Sequence, residues 1–167
     1  MAEPTGAAAP GSAPSPEPAQ RELLRPEAIR LAERATGRDD AIRRCGEVLV
    51  EIGAVEPAYV ESMLARERSI STYVGEGVAI PHGTVKGKDT VREDALAVLR
   101  FPGGVDWGGQ PVSVCMAIAA TGDGHTGILG QLAEILLDPD RARTLREATE
   151  PAVVTELLAP IGEEISG

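Results

Sequence analysis

The stretch Val112 to Ala119, VSVCMAIA, constrains the fold more than any other part of the chain, because Ser113 alone interrupts its apolar character. A run without polar alternation is expected of a central strand covered on both faces. It is far too short to span a bilayer. Other elements must therefore supply the cover, and the flanking pattern contains them. From Asp39, apolar residues recur at Ala41, Ile42, Cys45, Val48, Leu49 and Ile52, the spacing of a helix with one buried face. Gly53 is placed to end that helix. Glu56-Pro57 opens a second, with proline in the first turn and Val60, Met63 and Leu64 inward.

Shorter runs predict further strands. Ala28 to Ala32 alternates like an edge strand, Val78-Ala79-Ile80 is a short strand, and Ala95 to Phe101 is another. Pro102-Gly103-Gly104 predicts a turn, with Val105-Asp106-Trp107 closing a hairpin. After the central strand, Ile128, Leu129, Leu132, Ile135 and Leu136 line one side of a helix. Asp138-Pro139 caps a short helix through Leu145, and Thr149 caps a last one with Val153, Val154, Leu157 and Leu158 inward. Strands and helices alternate, so the expected class is α/β: a mixed, mostly parallel central sheet flanked by helices on both faces, in a single domain. Residues 1 to 20 are dominated by Ala, Pro, Gly, Ser and Glu, with no large apolar side chain after Met1. Such a segment cannot offset its ordering entropy, which predicts a disordered tail ahead of a domain over 21–167.

Composition narrows the function. Sixteen basic against 26 acidic residues give a net charge of -10, and aromatics make up 2%. A nucleic-acid binder would show a basic footprint and stacking surfaces, so none is expected. Cys45 and Cys115 both fall within apolar patterns and predict buried thiols in a reducing compartment. No apolar segment of secretory type follows Arg21, the first basic residue, so a cytoplasmic chain without membrane insertion is expected.

The chain has two histidines, His82 in VAIPHGT and His125 after Thr121-Gly122-Asp123-Gly124. Both are expected just past the end of a strand, where open α/β sheets collect ligands. Pro81 fixes its own φ and removes a donor, and Gly83 allows close backbone approach, which suits a rigid, exposed imidazole. Imidazole can ligate metal, act as a base or act as a nucleophile. No HxxxH, HExxH or CxxC spacing is present, so no metal is expected. The GxSxG of a hydrolase and the GxxxxGK(S/T) of a phosphate-binding loop are missing too, and no cofactor is expected. What remains is a histidine nucleophile without a nucleotide, as in a phosphohistidine carrier.

The stretch EPAYVESMLARERSISTYVGEGVAIPHGTVKGKDTV, Glu56 to Val91, resembles the signature region of the mannitol/fructose-type IIA components of the bacterial phosphoenolpyruvate-dependent sugar phosphotransferase system. The GEGVAIPHGT run with ARE upstream carries most of it, and FPGGVDW, VSVCMAIAA and the His125 segment extend it over roughly 22–160. It is nearest to the mannitol branch. The resemblance implies a carrier that takes a phosphoryl group from the phosphohistidine protein HPr and hands it to a cysteine of a IIB component. It implies that His82 is phosphorylated, that His125 supports the phosphoryl group, and that Arg66 stabilises its charge. Beside these, Glu67 either orients Arg66 or is an ordinary helix-surface carboxylate. Gly83 gives room beside His82. Thr84 either accepts from the imidazole or caps the turn. Two other readings compete: a regulatory protein of the same fold, whose His82 phosphorylation controls a bound target, and an interaction module with an inert His82.

Overall fold

The computed structural model describes residues 23–84, 86–121, 124–159 and 161, with the side chains at 88 and 124–126 outside that description. The tail expected over residues 1 to 20 also lies outside the described residues. In chain order the elements are β1 (Leu24–Arg30), α1 (Arg38–Glu51), α2 (Ala58–Ser69), β2 (Tyr73–Gly75), β3 (Val78–Ala79), a 3-10 turn (Lys86–Thr90), β4 (Ala95–Trp107), β5 (Gln110–Ala119), α3 (Gly124–Leu136), α4 (Pro139–Glu147) and α5 (Pro151–Leu158).

The strands form one five-stranded sheet in the order β1-β4-β5-β3-β2. The sheet is mixed, as the alternation of elements predicts. β1 runs parallel to β4, and β3 parallel to β5, while the β4–β5 and β2–β3 pairs are antiparallel. The apolar run at 112–119 is the middle strand. Every residue from Val114 to Ala119 is buried, and successive strand side chains point to opposite faces, so both faces are covered. α1 packs on β4 and β5 with α2 against it, whereas α3 and α4 touch β5 and α5 touches β1. Among the described residues, no helix is long and apolar enough to cross a membrane. Cys45 and Cys115 are both buried free thiols.

Two local expectations are corrected. Pro102-Gly103-Gly104 is not a turn: β4 is continuous from Ala95 to Trp107, and the register against β5 shifts between Arg100 and Val105. Phe101, Val105 and Trp107 are all buried, and keeping them inward holds the strand together while the exposed 102–104 segment bulges. The reversal falls instead at Gly108-Gly109, with φ of 66° and 98°. Two consecutive positive values suit the tight hairpin turns whose twist matches the strands. Thr149 is likewise not a helix cap: α5 starts at Pro151 with Glu150 at its cap position. Asp138, by contrast, caps α4 as its sequence position predicts, accepting from Asp140 N–H at 3.0 Å.

Candidate functional site

β3 ends at Ala79, but the chain stays alongside the central strand for several residues more. Ile80 N–H donates to Thr72 O at 3.0 Å, and Ile118 N–H donates to Pro81 O at 2.9 Å. His82 then pairs with Ile118 as an isolated parallel bridge. The histidine is therefore fixed to the sheet and not carried on a free loop. This placement corrects the expectation of an exposed imidazole, because His82 is only 8% exposed. Its Nδ1 lies 2.8 Å from Ile80 O. A carbonyl can only accept, so in the neutral ring Nδ1 carries the proton and Nε2 the lone pair. The acceptor at Nδ1 is this backbone carbonyl and not Thr84.

Helix α2 forms the wall behind this segment. Tyr59, Ser62 and Arg66 are spaced to lie on one helical face. The Tyr59 hydroxyl donates to Ile118 O and accepts from Gly83 N–H, both at 2.8 Å. Burial pushes the Tyr59 phenol up to about 12, although the bond from Gly83 N–H pulls the other way. Ser62 Oγ accepts from Thr84 N–H at 2.7 Å and is hydrogen-bonded to Thr84 Oγ1 at 2.9 Å. Thr84 Oγ1 also accepts from Gly87 N–H at 3.1 Å, so its hydroxyl caps the turn that follows. Gly83 is required by space. A Cβ there would lie 2.5 Å from Tyr59 Cε1 and 2.7 Å from Ser62 Oγ. Arg66 is half-buried one turn beyond Ser62, and its Nη1 donates to Ile70 O at 2.6 Å, closing the end of α2.

Glu67 departs from both readings of its sequence position. It is 5% exposed, so it is no surface carboxylate. Its oxygens accept from Thr72 N–H and Thr72 Oγ1 and, at 3.1 Å, from Trp107 Nε1. Those bonds tie α2 to β4 and to the segment before β2, away from Arg66, because consecutive helical side chains diverge. His125 lies in the first turn of α3, and its side chain falls outside the described residues. The parallel β3 and β5 are neighbours, and the chain leaves both at their C-terminal ends. Both histidine segments therefore follow the same edge of the sheet.

Sequence reasoning passed over Tyr59 and Ser62. Their signal is positional: with Arg66 they make a polar-tipped stripe at helical spacing, on the helix that precedes the Pro-His-Gly segment.

With this geometry in view, the chain can be set beside known proteins. A family model described as "Phosphoenolpyruvate-dependent sugar phosphotransferase system, EIIA 2" matches residues 22–160. The chain is 38% identical over 135 residues to a mannitol-specific phosphotransferase enzyme IIA component of Enterococcus faecalis, covering 78% of this chain and 93% of that one. It is 42% identical over 139 residues, 83% of this chain, to a multiphosphoryl transfer protein of Escherichia coli O157:H7, of whose length the match spans 36%. Among solved structures, the IIA mannitol enzyme in its complex with phosphorylated enzyme IIB mannitol from Escherichia coli superposes with a TM-score of 0.77 at 36% identity, over 83% of this chain and 99% of that one. A buried histidine with an oriented ring, at the shared edge of two parallel strands, thus sits within a match that covers most of the chain, and the chain belongs to the EIIA 2 family of the phosphoenolpyruvate-dependent sugar phosphotransferase system.

Proposed function

We propose that this chain is a phosphocarrier in which His82 Nε2 accepts a phosphoryl group from phosphorylated HPr and passes it to a cysteine of a IIB component, with mannitol the favoured sugar. The observation that carries the reading is the 2.8 Å contact between His82 Nδ1 and Ile80 O. It fixes the tautomer, so the nucleophilic lone pair is on Nε2 before any partner arrives. In the first transfer the Nε2–P bond forms as the donor's N–P bond breaks, with attacking and leaving atoms roughly in line. In the second, a IIB cysteine thiolate attacks phosphorus, the S–P bond forms, and Nε2 leaves with its lone pair. No net redox change occurs, and no metal or nucleotide is needed to balance either step.

Catalysis then consists of positioning and charge stabilisation. In this reading Arg66 turns from Ile70 O toward the phosphoryl oxygens, where its planar fork and permanent charge suit them. His125, at the start of α3, supplies a second donor. Gly83 and Thr84 keep the loop close to α2. The domain of this reading is residues 21–167. The family assignment supports this reading, as does the solved IIA mannitol enzyme in complex with phosphorylated IIB.

The test is intact-mass spectrometry after incubation with phosphoenolpyruvate, enzyme I and HPr, with His82→Ala alongside. The expected result is one phosphoryl group on the wild type, none on the variant, and loss of that group when a IIB domain is added. No added mass while HPr itself is phosphorylated would overturn the reading. Acceptance without delivery to any IIB domain would transfer the assignment to a regulatory protein.

A further inference from the structure

The phenol of Tyr59 occupies a place that normally belongs to the backbone. Ile118 N–H donates to Pro81 O at 2.9 Å beside His82. In a parallel ladder the next bond would run from Gly83 N–H to Ile118 O. The Tyr59 hydroxyl stands 2.8 Å from each of those atoms, accepting from the first and donating to the second. A side chain of α2 has thereby entered the rung that follows the histidine.

From this geometry we infer that Tyr59 is a positioning residue for phosphoryl transfer: its hydroxyl relays the Gly83–Ile118 rung and so fixes the height and direction of the His82 ring, an inference that rests on His82 being the phosphoryl acceptor. The imidazole is bracketed on both sides. Upstream, its own Nδ1 is tied to Ile80 O at 2.8 Å. Downstream, the backbone leaves His82 through Gly83, whose N–H is held by the phenol. The ring of Tyr59 sets how closely that backbone can approach, since a Cβ at Gly83 would lie 2.5 Å from Cε1. Tyr59 is 4% exposed, so in the native protein the relay runs through the phenol and not through bulk water. Its raised pKa keeps the hydroxyl proton in place near neutral pH, where it must donate to Ile118 O.

Without the hydroxyl, Gly83 N–H and Ile118 O are left to find each other directly or stay unpaired. Direct pairing draws residues 82 and 83 toward β5, and an open rung leaves them less firmly held to it. In-line transfer is sensitive to shifts of about an ångström, on the order of a hundredfold in rate. Tyr59 lies under the loop, so the surface met by the phosphoryl donor is unchanged. The loss should appear in kcat, with KM for the donor held.

The experiment is Tyr59→Phe, assayed with phosphorylated HPr as donor and examined by nitrogen NMR of the His82 ring and the Gly83 amide. The expected result is a roughly ten- to hundredfold lower kcat at unchanged KM, with displaced His82 ring and Gly83 signals. A merely structural role would lower the unfolding midpoint yet leave kcat per folded molecule and the His82 signals as in the wild type, and that outcome overturns the inference. If the wild type itself accepts no phosphoryl group, the carrier reading falls and the transfer role of Tyr59 falls with it; the NMR arm then decides only whether Tyr59 orients the His82 ring, moved ring signals supporting that and unmoved ones rejecting it. Should Tyr59→Phe fail to fold, 3-fluorotyrosine at position 59 keeps the shape and alters the hydroxyl. A shifted Gly83 amide with a kcat change of about twofold or more supports the relay, and wild-type values for both reject it.

Discussion

Trp107 Nε1 on β4 donates to Glu67 Oε2 on α2 at 3.1 Å, and the same carboxylate also receives Thr72 N–H and Thr72 Oγ1. One buried side chain therefore satisfies three donors from two different parts of the fold. Glu67→Ala leaves those donors buried without an acceptor, at about 1–3 kcal/mol for each group that cannot reach water. The expected loss is about 3 kcal/mol or more, against roughly 1 kcal/mol for Glu67→Gln, which keeps an acceptor oxygen. Trp107 is the single tryptophan, so urea unfolding followed by its fluorescence reads this junction directly. Stability within about 0.5 kcal/mol of wild type for Glu67→Ala would show that the three bonds contribute nothing net.

The contact between Gly83 and α2 gives a sharper steric prediction. A Cβ at position 83 would stand 2.5 Å from Tyr59 Cε1 and 2.7 Å from Ser62 Oγ. Real atoms do not tolerate such approaches, so the loop or the tyrosine must move. Gly83→Ala should cost about 1–3 kcal/mol, the usual range for overpacking. Gly103→Ala is the matched control, since a Cβ there meets nothing within 4 Å and the backbone is not left-handed. Thermal unfolding of the two variants side by side checks the point. Equal midpoints would mean that the Tyr59–Gly83 approach is looser than it stands here.

The pattern of elements was legible because periodicity survives in one chain. The apolar run through β5 marks the sheet centre, and the helical spacing from Ala41 to Ile52 marks α1. His82 and its glycine could be found because proline and glycine restrict the backbone around them. Partnerships across the fold were not legible. Nothing local to Glu67 shows that Trp107, forty residues on, is its partner, so a helical glutamate beside an arginine reads as a surface charge. Pro102-Gly103-Gly104 carries the chemistry of a turn, yet burial of Phe101, Val105 and Trp107 overrides it. Ser62 and Tyr59 look like ordinary helix residues until the fold brings the histidine loop against them.

Ser62 and Thr84 share two hydrogen bonds, Thr84 N–H to Ser62 Oγ at 2.7 Å and hydroxyl to hydroxyl at 2.9 Å. Thr84 Oγ1 also receives Gly87 N–H at 3.1 Å. Ser62→Ala and Thr84→Val should each destabilise by roughly 1 kcal/mol, the net value of a typical hydrogen bond. Because the two side chains form one network, the double variant should lose less than the sum. The expected coupling is about 0.5–1 kcal/mol. A double-mutant cycle from denaturant unfolding measures it, and strict additivity would show that the two hydroxyls act independently.

The last prediction concerns pH. Burial raises the Tyr59 phenol from its ordinary 10.0 to about 12. A folded-state value above the unfolded one means that folding favours the protonated phenol. The associated stability is fully present below about 10, the unfolded value, and is lost as pH rises through about 12. The chain has two tyrosines, so the ultraviolet titration of wild type minus that of Tyr59→Phe isolates this one. In the native protein the difference curve should rise near 12, and in urea near 10. A native curve centred near 10 would mean that the phenol reaches water and that the Gly83–Ile118 relay is open. A late curve would show the hydroxyl proton held in the bond to Ile118 O throughout the range in which a phosphoryl carrier works.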